Sequence, residues 1–375
     1  MKRIESEAQL AEVIAGANGA LRVKGGGTRD VGAPVVGEVL EVGISGVTLY
    51  EPGSLTLVVG AGTPLAEIDA LLEAEGQRLA FEPMDHRVLL GTSGAPTIGG
   101  AVAANVSGPR RIQAGAARDF TLGARFVDGA GRIVKNGGRV MKNVTGYDLV
   151  KLMAGSWGTL GVLSEVSLKV QARPEVQASL VAEGLSPVEA VAKLAAALGS
   201  PFDVTGAAHL VGGRTLVRLE GLEGAVSYRA KALQGGALAG FEVVEGPASA
   251  ELWREVRDVT PLAEAEGAVW KVSVKPGDGP GVLDALGDRV KAAIMDWGGG
   301  LLWLRVAETG DCGAAAIRAE VARVGGHATL VRASAETRAQ VPVFQPEPAP
   351  IAALNRQLKA KFDPRGILNP GLMGV

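Results

Sequence analysis

Val88-Leu89-Leu90-Gly91-Thr92-Ser93-Gly94-Ala95-Pro96-Thr97-Ile98-Gly99-Gly100-Ala101-Val102-Ala103-Ala104-Asn105-Val106-Ser107-Gly108-Pro109 runs for 22 residues without a charged side chain. Its length would serve a membrane span, but its glycines, Pro96 and Asn105 make it too polar and too broken for a spanning helix. The stretch predicts instead a buried loop whose backbone amides are satisfied by something other than regular secondary structure, and a ligand is a candidate for that something. Within it, Thr97-Ile98-Gly99-Gly100-Ala101 and Asn105-Val106-Ser107-Gly108-Pro109 offer bare main chain. A flat aromatic ligand needs such an approach without side-chain bulk, with Thr97, Asn105 and Ser107 as edge hydrogen-bonding groups.

Two further glycine clusters flank this one. Upstream, Lys24-Gly25-Gly26-Gly27-Thr28-Arg29-Asp30 follows strand-like Leu21-Arg22-Val23. Successive glycines let N–H groups turn inward as an anion nest, Thr28 adds a hydroxyl and Lys24 a charge, although a plain flexible loop has the same composition. Downstream, Gly155-Ser156-Trp157-Gly158-Thr159-Leu160-Gly161-Val162 enters a strand. Three clusters, each beside strand-like sequence, predict one extended ligand contacting all of them. The common nucleotide fingerprints are absent: no Gly-Lys dipeptide occurs for a phosphate-binding loop, and neither Gly25-Gly26-Gly27 nor Gly60-Ala61-Gly62 has the third glycine of a dinucleotide fold.

The chain has 375 residues, enough for two or three domains, and 38 basic against 40 acidic side chains. That balance excludes nucleic-acid binding through bulk charge. One cysteine, Cys312, excludes a disulfide framework, a cysteine-based zinc site and a protein-held iron–sulfur cluster. Met1-Lys2-Arg3-Ile4-Glu5-Ser6-Glu7 is followed by no apolar run, so no secretory signal is expected. The expectation is a soluble, cytoplasmic chain.

Organisation follows from periodicity. Residues 5–20 predict a helix, 39–42 and 56–59 strands, and Thr63-Pro64 with Glu67 a helix start whose apolar face is Leu65, Ile68, Leu71 and Leu72. Asp128-Gly129-Ala130-Gly131 predicts a hairpin turn. Arg173-Pro174 is a boundary. From 176 to 335 the order strand–helix–strand–strand–helix–strand occurs twice, with Gly212-Gly213-Arg214-Thr215-Leu216-Val217-Arg218-Leu219 matching Gly299-Gly300-Leu301-Leu302-Trp303-Leu304-Arg305-Val306. Four prolines between 342 and 350 predict an extended linker before a final amphipathic helix.

The order of motifs resembles the FAD-binding domain of the vanillyl-alcohol oxidase / p-cresol methylhydroxylase superfamily: Lys24 to Thr28, then Val58-Val59-Gly60-Ala61-Gly62-Thr63-Pro64-Leu65, Thr97 to Gly100, Asn105 to Gly108, and Gly158-Thr159-Leu160-Gly161-Val162. Asp363-Pro364-Arg365-Gly366-Ile367-Leu368-Asn369-Pro370-Gly371 resembles the closing motif of its 2-hydroxy-acid members. Met141-Lys142-Asn143-Val144-Thr145-Gly146-Tyr147-Asp148 with Leu152-Met153-Ala154-Gly155-Ser156 is most similar to the FAD-binding E-subunit family of bacterial glycolate oxidase (glycolate dehydrogenase).

This resemblance implies an α+β fold: a PCMH-type two-subdomain FAD-binding domain over 1–173, a duplicated ferredoxin-like antiparallel-sheet cap over 174–335, and a segment over 336–375 returning to the FAD domain. It implies that Lys24, Gly25, Gly26, Gly27, Thr28, Arg29 and Asp30 bind the FAD pyrophosphate. Pro83, Thr97, Ile98, Gly99, Gly100, Asn105, Ser107 and Gly108 would line the isoalloxazine and the remaining diphosphate contacts. Gly161 and Val162 would hold the adenine end, and Asn369 would approach the flavin. Covalent attachment in the superfamily uses His or Cys; neither lies between residues 1 and 85, so FAD is expected to be non-covalent.

The implied reaction removes hydride from a small 2-hydroxy acid, glycolate giving glyoxylate. Such chemistry needs a proton acceptor and a cationic clamp for the carboxylate. Candidates are few: Arg110 and Arg111 as a clamp, or as a solvated pair, and His327 or His86, which sits ahead of the flavin loop, as a base or as structural residues. His209 is the third histidine, and no paired-histidine metal spacing occurs. Tyr147 and Lys142 are further residues for the flavin, Tyr147 equally for the core. The tryptophans read as core or interface. Two functions remain open: an FAD-binding subunit that passes electrons to partners, a second flavoprotein subunit and an iron–sulfur subunit, and a stand-alone FAD-dependent 2-hydroxy-acid dehydrogenase. The depleted histidine set favours the first, with any membrane association through the partners.

Overall fold

The turn Asp128-Gly129-Ala130-Gly131 closes an antiparallel hairpin, as its sequence predicts. Gly131 takes a φ of 83°, and the Asp128 carboxylate accepts from the N–H groups of Ala130 and Arg132. A computed structural model describes residues 1–140 and 146–374. They fall into two units: Met1–Ser107, Gly115–Arg173 and Pro346–Val375 form the first, Gly108–Ala114 and Pro174–Gln345 the second. Residues 141–145, which carry most of the Met141–Asp148 motif and Lys142, lie outside the described residues.

In the first unit, β1 (Lys2–Ile4), β2 (Leu21–Lys24) and β3 (Glu38–Val42) make a parallel sheet in the order β1-β3-β2. Next along the chain come β4 (Val47–Glu51), β5 (Thr56–Gly60), β6 (Gln77–Arg78), β7 (Thr121–Val127), β8 (Ile133–Gly137), β9 (Val162–Lys169) and β10 (Gln171–Ala172). They form an antiparallel sheet β4-β5-β9-β7-β8 and a separate pair β6-β10. Every residue of β5 is buried, which is why its sequence reads as a continuous apolar run rather than an alternation.

Two expectations need correction here. Thr63 does not cap the helix Leu65–Ala74; its hydroxyl donates to the Gly60 carbonyl and accepts from the Gly46 N–H, bracing the turn before the helix. The uncharged stretch is not all loop: it contains most of the short helix Arg87–Leu90 and the helix Ile98–Ala103. The first amides of the latter are satisfied by the chain itself. Ile98 donates to the Thr63 carbonyl, Gly99 to that of Ala61, and Gly100 to the Thr97 hydroxyl, which is the N-cap.

The closing motif is a compact turn built on one buried carboxylate. Asp363 accepts from the N–H groups of Ile367 and Leu368 and from the Lys359 ammonium at 2.7 Å. Arg365 spreads its guanidinium over the carbonyls of Ile14, Ala15, Ala17 and Gly129. Leu368 thereby runs parallel beside Leu21 and extends the small sheet.

The second unit holds one eight-stranded antiparallel sheet. Its first half is β11 (Val176–Glu183), β12 (Val204–Leu210), β13 (Arg214–Gly221) and β14 (Glu242–Glu245); its second is β15 (Ala268–Ser273), β16 (Val290–Asp296), β17 (Leu301–Val306) and β18 (His327–Arg332). The order β14-β11-β13-β12-β16-β17-β15-β18 places each half fourth-first-third-second from its own edge, and the halves join through β12 and β16. The duplicated ferredoxin-like pattern is present, and the two matched glycine-led segments become β13 and β17. Helices Pro187–Leu198, Glu223–Gln234, Gly279–Leu286 and Ala314–Val324 occupy the expected places. The helix Gly246–Asp258 between the halves was not foreseen; it buries Trp253, whose indole donates to Ser179 Oγ at 2.8 Å.

Candidate functional site

The three glycine-bearing segments converge on one pocket within the first unit. Lys24, Gly25, Gly26, Gly27, Thr28, Arg29 and Asp30 line it as a continuous wall leaving β2. Thr97, Gly99 and Gly100 line it from the helix Ile98–Ala103, Gly161 and Val162 from the entry to β9, and Asn369 from the closing motif. The Asn369 side chain ties two of these walls together, accepting from the Val23 N–H at 2.8 Å and donating to the Trp157 carbonyl at 2.9 Å.

Pro83, Ile98, Asn105, Ser107 and Gly108 are placed outside this lining. Ile98 is fully buried in the core. Asn105 Oδ1 accepts from the Arg118 N–H and Ser107 Oγ from the Ala117 N–H, so both side chains brace the neighbouring short helix. Gly108 belongs to the second unit, where its carbonyl accepts from the Trp297 indole. Conversely, Ala61, Ala103, Ala104 and Leu372 line the pocket without having been assigned to the cofactor, and Trp157 and Gly158 of the downstream glycine cluster line it as well. Ala103 and Ala104 had a readable signal, since each lies four residues after Gly99 or Gly100 and so on the same helix face. Trp157 corrects the assignment of the tryptophans to core or interface.

The glycines serve two purposes. A Cβ on Gly26 would stand 1.6 Å from the Ala95 carbonyl oxygen, on Gly25 2.4 Å from Thr97 Oγ1, and on Gly99 2.6 Å from the Ala61 Cβ. These three let one wall pack against the next. Gly27 has nothing near its Cβ position but takes a φ of +70°, and a Cβ on Gly100 would meet Arg29 Nη1 at 3.1 Å. Only the latter pair keep the pocket side clear.

Arg29 gives the pocket its charge. Its Nε and Nη2 are buried with no hydrogen-bond partner among the described residues. Burial pushes its pKa down to about 10, against the opposing pull of Asp85. A buried guanidinium without acceptors is costly and calls for an anion. Bare glycine walls and this orphaned cation are features a dinucleotide phosphate requires.

The proton-transfer and clamp candidates are dispersed. Arg110 is engaged by Glu220, Nε to Oε2 at 2.9 Å and Nη2 to Oε1 at 3.0 Å, with both side chains largely buried in the second unit. Arg218 is fully buried, with its Nε 3.8 Å from the same carboxylate. Glu220→Ala therefore removes the carboxylate that two largely buried guanidinium groups share, and is expected to destabilise the protein by about 3–5 kcal/mol in denaturant unfolding; an unchanged midpoint would contradict this coupling. Arg111 lies 4.5 Å over the Trp297 ring. His327 is exposed at the start of β18, and His86 is buried with Nδ1 3.3 Å from the Met84 carbonyl. His209 is buried against Thr215 Oγ1, and burial holds its pKa below the usual imidazole range. Tyr147 is 88% exposed and is not a core residue. Among the described residues no group of His, Cys, Asp and Glu is arranged to hold a metal ion.

Comparison with known proteins places this geometry. Residues 2–137 match a family model described as an FAD binding domain. Over 346 residues the chain is 38% identical to the glycolate oxidase subunit GlcE of Escherichia coli (strain K12), covering 92% of this chain and 89% of that one. Over 129 residues it is 33% identical to the glycolate oxidase subunit GlcD of Bacillus subtilis (strain 168), covering 34% of this chain and 26% of GlcD. The D-lactate dehydrogenase of Anaerostipes hadrus is 35% identical over 132 residues, covering 35% of this chain and 26% of that enzyme. Among solved structures, an alkyldihydroxyacetonephosphate synthase superposes with a TM-score of 0.68 over 98% of this chain and 76% of its own; at 16% identity the likeness is one of fold.

Proposed function

We propose a function from one premise: the chain belongs to the family of the glycolate oxidase subunit GlcE. It is an FAD-binding oxidoreductase component. In our reading it serves a glycolate oxidase complex, takes part in oxidising glycolate to glyoxylate, and passes electrons to partners, a second flavoprotein subunit and an iron–sulfur subunit. No helix among the described residues is long and apolar enough to cross a membrane. In our reading any membrane association runs through those partners.

Bound FAD would supply the hydride acceptor. The chain's own residues hold it: the loop Lys24 to Asp30, with the Arg29 guanidinium, takes the pyrophosphate, Gly100 leaves the pocket side of its helix clear for the ring system, and Gly161 and Val162 meet the adenine end through main chain. Asn369 keeps the closing motif against β2. Among the described residues no His or Cys lines the pocket, and our reading is that FAD is held non-covalently. The observation that carries this reading is the orphaned Arg29 set between glycine walls.

The test is spectroscopic. Purified chain is expected to be yellow, to release FAD on denaturation, and to stay oxidised when glycolate is added without oxygen and without partners. Bleaching by the isolated chain would favour the stand-alone dehydrogenase instead; a colourless chain that takes up no flavin would end both readings.

A further inference from the structure

The segment ahead of the helix Ile98–Ala103 is laced onto the loop that carries Arg29. Thr92 Oγ1 donates to the Thr28 carbonyl at 3.0 Å, and a Cβ on Gly94 would stand 2.3 Å from the Gly26 carbonyl oxygen. At the head of this segment lies Asp85, just before the short helix Arg87–Leu90. Neither Asp85 nor Arg87 lines the pocket, so the contacts given above to the cofactor leave both without a role.

Arg87 grips the Asp85 carboxylate as a fork. Its Nε donates to Oδ1 at 3.1 Å and to Oδ2 at 3.0 Å, and its Nη2 donates to Oδ2 at 2.7 Å. The Arg87 main-chain N–H donates to Oδ1 at 3.0 Å. Nη1 reaches the Gly94 carbonyl at 3.3 Å, so one side chain ties both ends of the segment. A paired fork of this kind fixes the direction of a carboxylate as well as offsetting its charge.

Arg29 is a second cation that feels Asp85. Burial works against the Arg29 charge and Asp85 works for it, burial being the larger influence. Yet Arg29 Nε and Nη2 are buried without a hydrogen-bond partner among the described residues. A guanidinium with unmade hydrogen bonds gains by capturing a carboxylate, and the Arg87 fork opposes that capture. Two guanidinium groups compete for one anion, and the outer one holds it.

We propose that Arg87 is a positioning residue for the anion site: it keeps the Asp85 carboxylate turned away from Arg29, so that the buried guanidinium stays available to a pyrophosphate. The inference rests on the cofactor reading and deepens it, because the anion concerned is the pyrophosphate given there to Arg29. Without Arg87, the carboxylate turns to Arg29, and an incoming pyrophosphate has to displace an ion pair. With the charge at position 85 removed as well, nothing competes.

Flavin fluorescence titration of the apoprotein tests this. Arg87 is half exposed, so its replacement opens no buried cavity. Arg87→Met is expected to weaken FAD about tenfold and to leave riboflavin, which has no phosphates, unchanged. Asp85→Asn is expected to bind FAD at least as tightly as the wild type. Combining it with Arg87→Met is expected to bring FAD affinity back to within about twofold of the wild type. Wild-type FAD affinity in Arg87→Met, or a double variant as weak as Arg87→Met, would overturn the proposal. An equal loss for riboflavin would overturn it too, making Arg87 a brace for the loop. Calorimetry of the same proteins with inorganic pyrophosphate separates this inference from the cofactor reading. A wild-type chain that takes up no FAD but shows the same order of pyrophosphate affinities would end the cofactor reading and leave Arg87 in its role; absence of that order for both ligands would end both.

Discussion

Arg29→Met is expected to strip the protein of FAD while leaving the apoprotein as stable or more so. Both effects have one cause. In the folded chain the Arg29 Nε and Nη2 are buried without acceptors, so the guanidinium is a cost until an anion meets it. Replacing it by methionine removes that cost from the apoprotein and a charge-assisted contact from the complex. Such a contact is worth about 1.5–3 kcal/mol, or roughly 10- to 150-fold in FAD affinity. Riboflavin lacks the pyrophosphate, so its affinity is expected to be unchanged. Flavin fluorescence titration of both ligands and a thermal melt of the apoprotein decide the matter. Equal losses for FAD and riboflavin would move Arg29 away from the phosphates, and a lower melting temperature would mean that it holds structure instead.

Gly26→Val is expected to damage the fold itself. The added Cβ alone would lie 1.6 Å from the Ala95 carbonyl oxygen, a main-chain atom that cannot step aside. The loop and the segment ahead of the helix Ile98–Ala103 must separate, at more than about 3 kcal/mol, and flavin retention goes with them. Gly100→Ala is the informative contrast. Its Cβ meets the far end of Arg29 at 3.1 Å and Thr97 Oγ1 at 3.3 Å, neither of them main chain. Its melting temperature is expected to fall little and its FAD affinity about tenfold. If Gly26→Val melts as the wild type does, the tight approach to Ala95 is wrong.

These two variants also mark how far the candidate site was legible in sequence. Lys24 to Asp30, Thr97, Gly99, Gly100, Gly161, Val162 and Asn369 do line one pocket, although they come from four separated stretches. Asn105 and Ser107 carry polar side chains beside glycines, and nothing in sequence separates a ligand contact from a brace to Arg118 or Ala117. Gly26 and Gly100 look alike as letters, yet one faces Ala95 and the other Arg29. The same limit applied to Arg110 and Arg111, adjacent in the chain but taken up by Glu220 and by Trp297 respectively. The duplicated half-sheets were visible because periodicity and turn residues act within a few positions of one another, whereas the partner of a buried charge comes from any distance along the chain.

By itself the sequence determined that this chain has glycine walls for a long anionic cofactor, a twice-repeated sheet beyond them, and too few histidines for an obvious base. Backbone freedom, strand alternation and ionisable side chains are properties of the residues, present before folding. Tertiary structure alone decided which glycines admit a ligand and which admit another segment of the same protein, and that Arg29 Nε and Nη2 end without a hydrogen-bond partner among the described residues while Arg110 has Glu220. A missing Cβ or an added charge has no direction until the surrounding elements are in place.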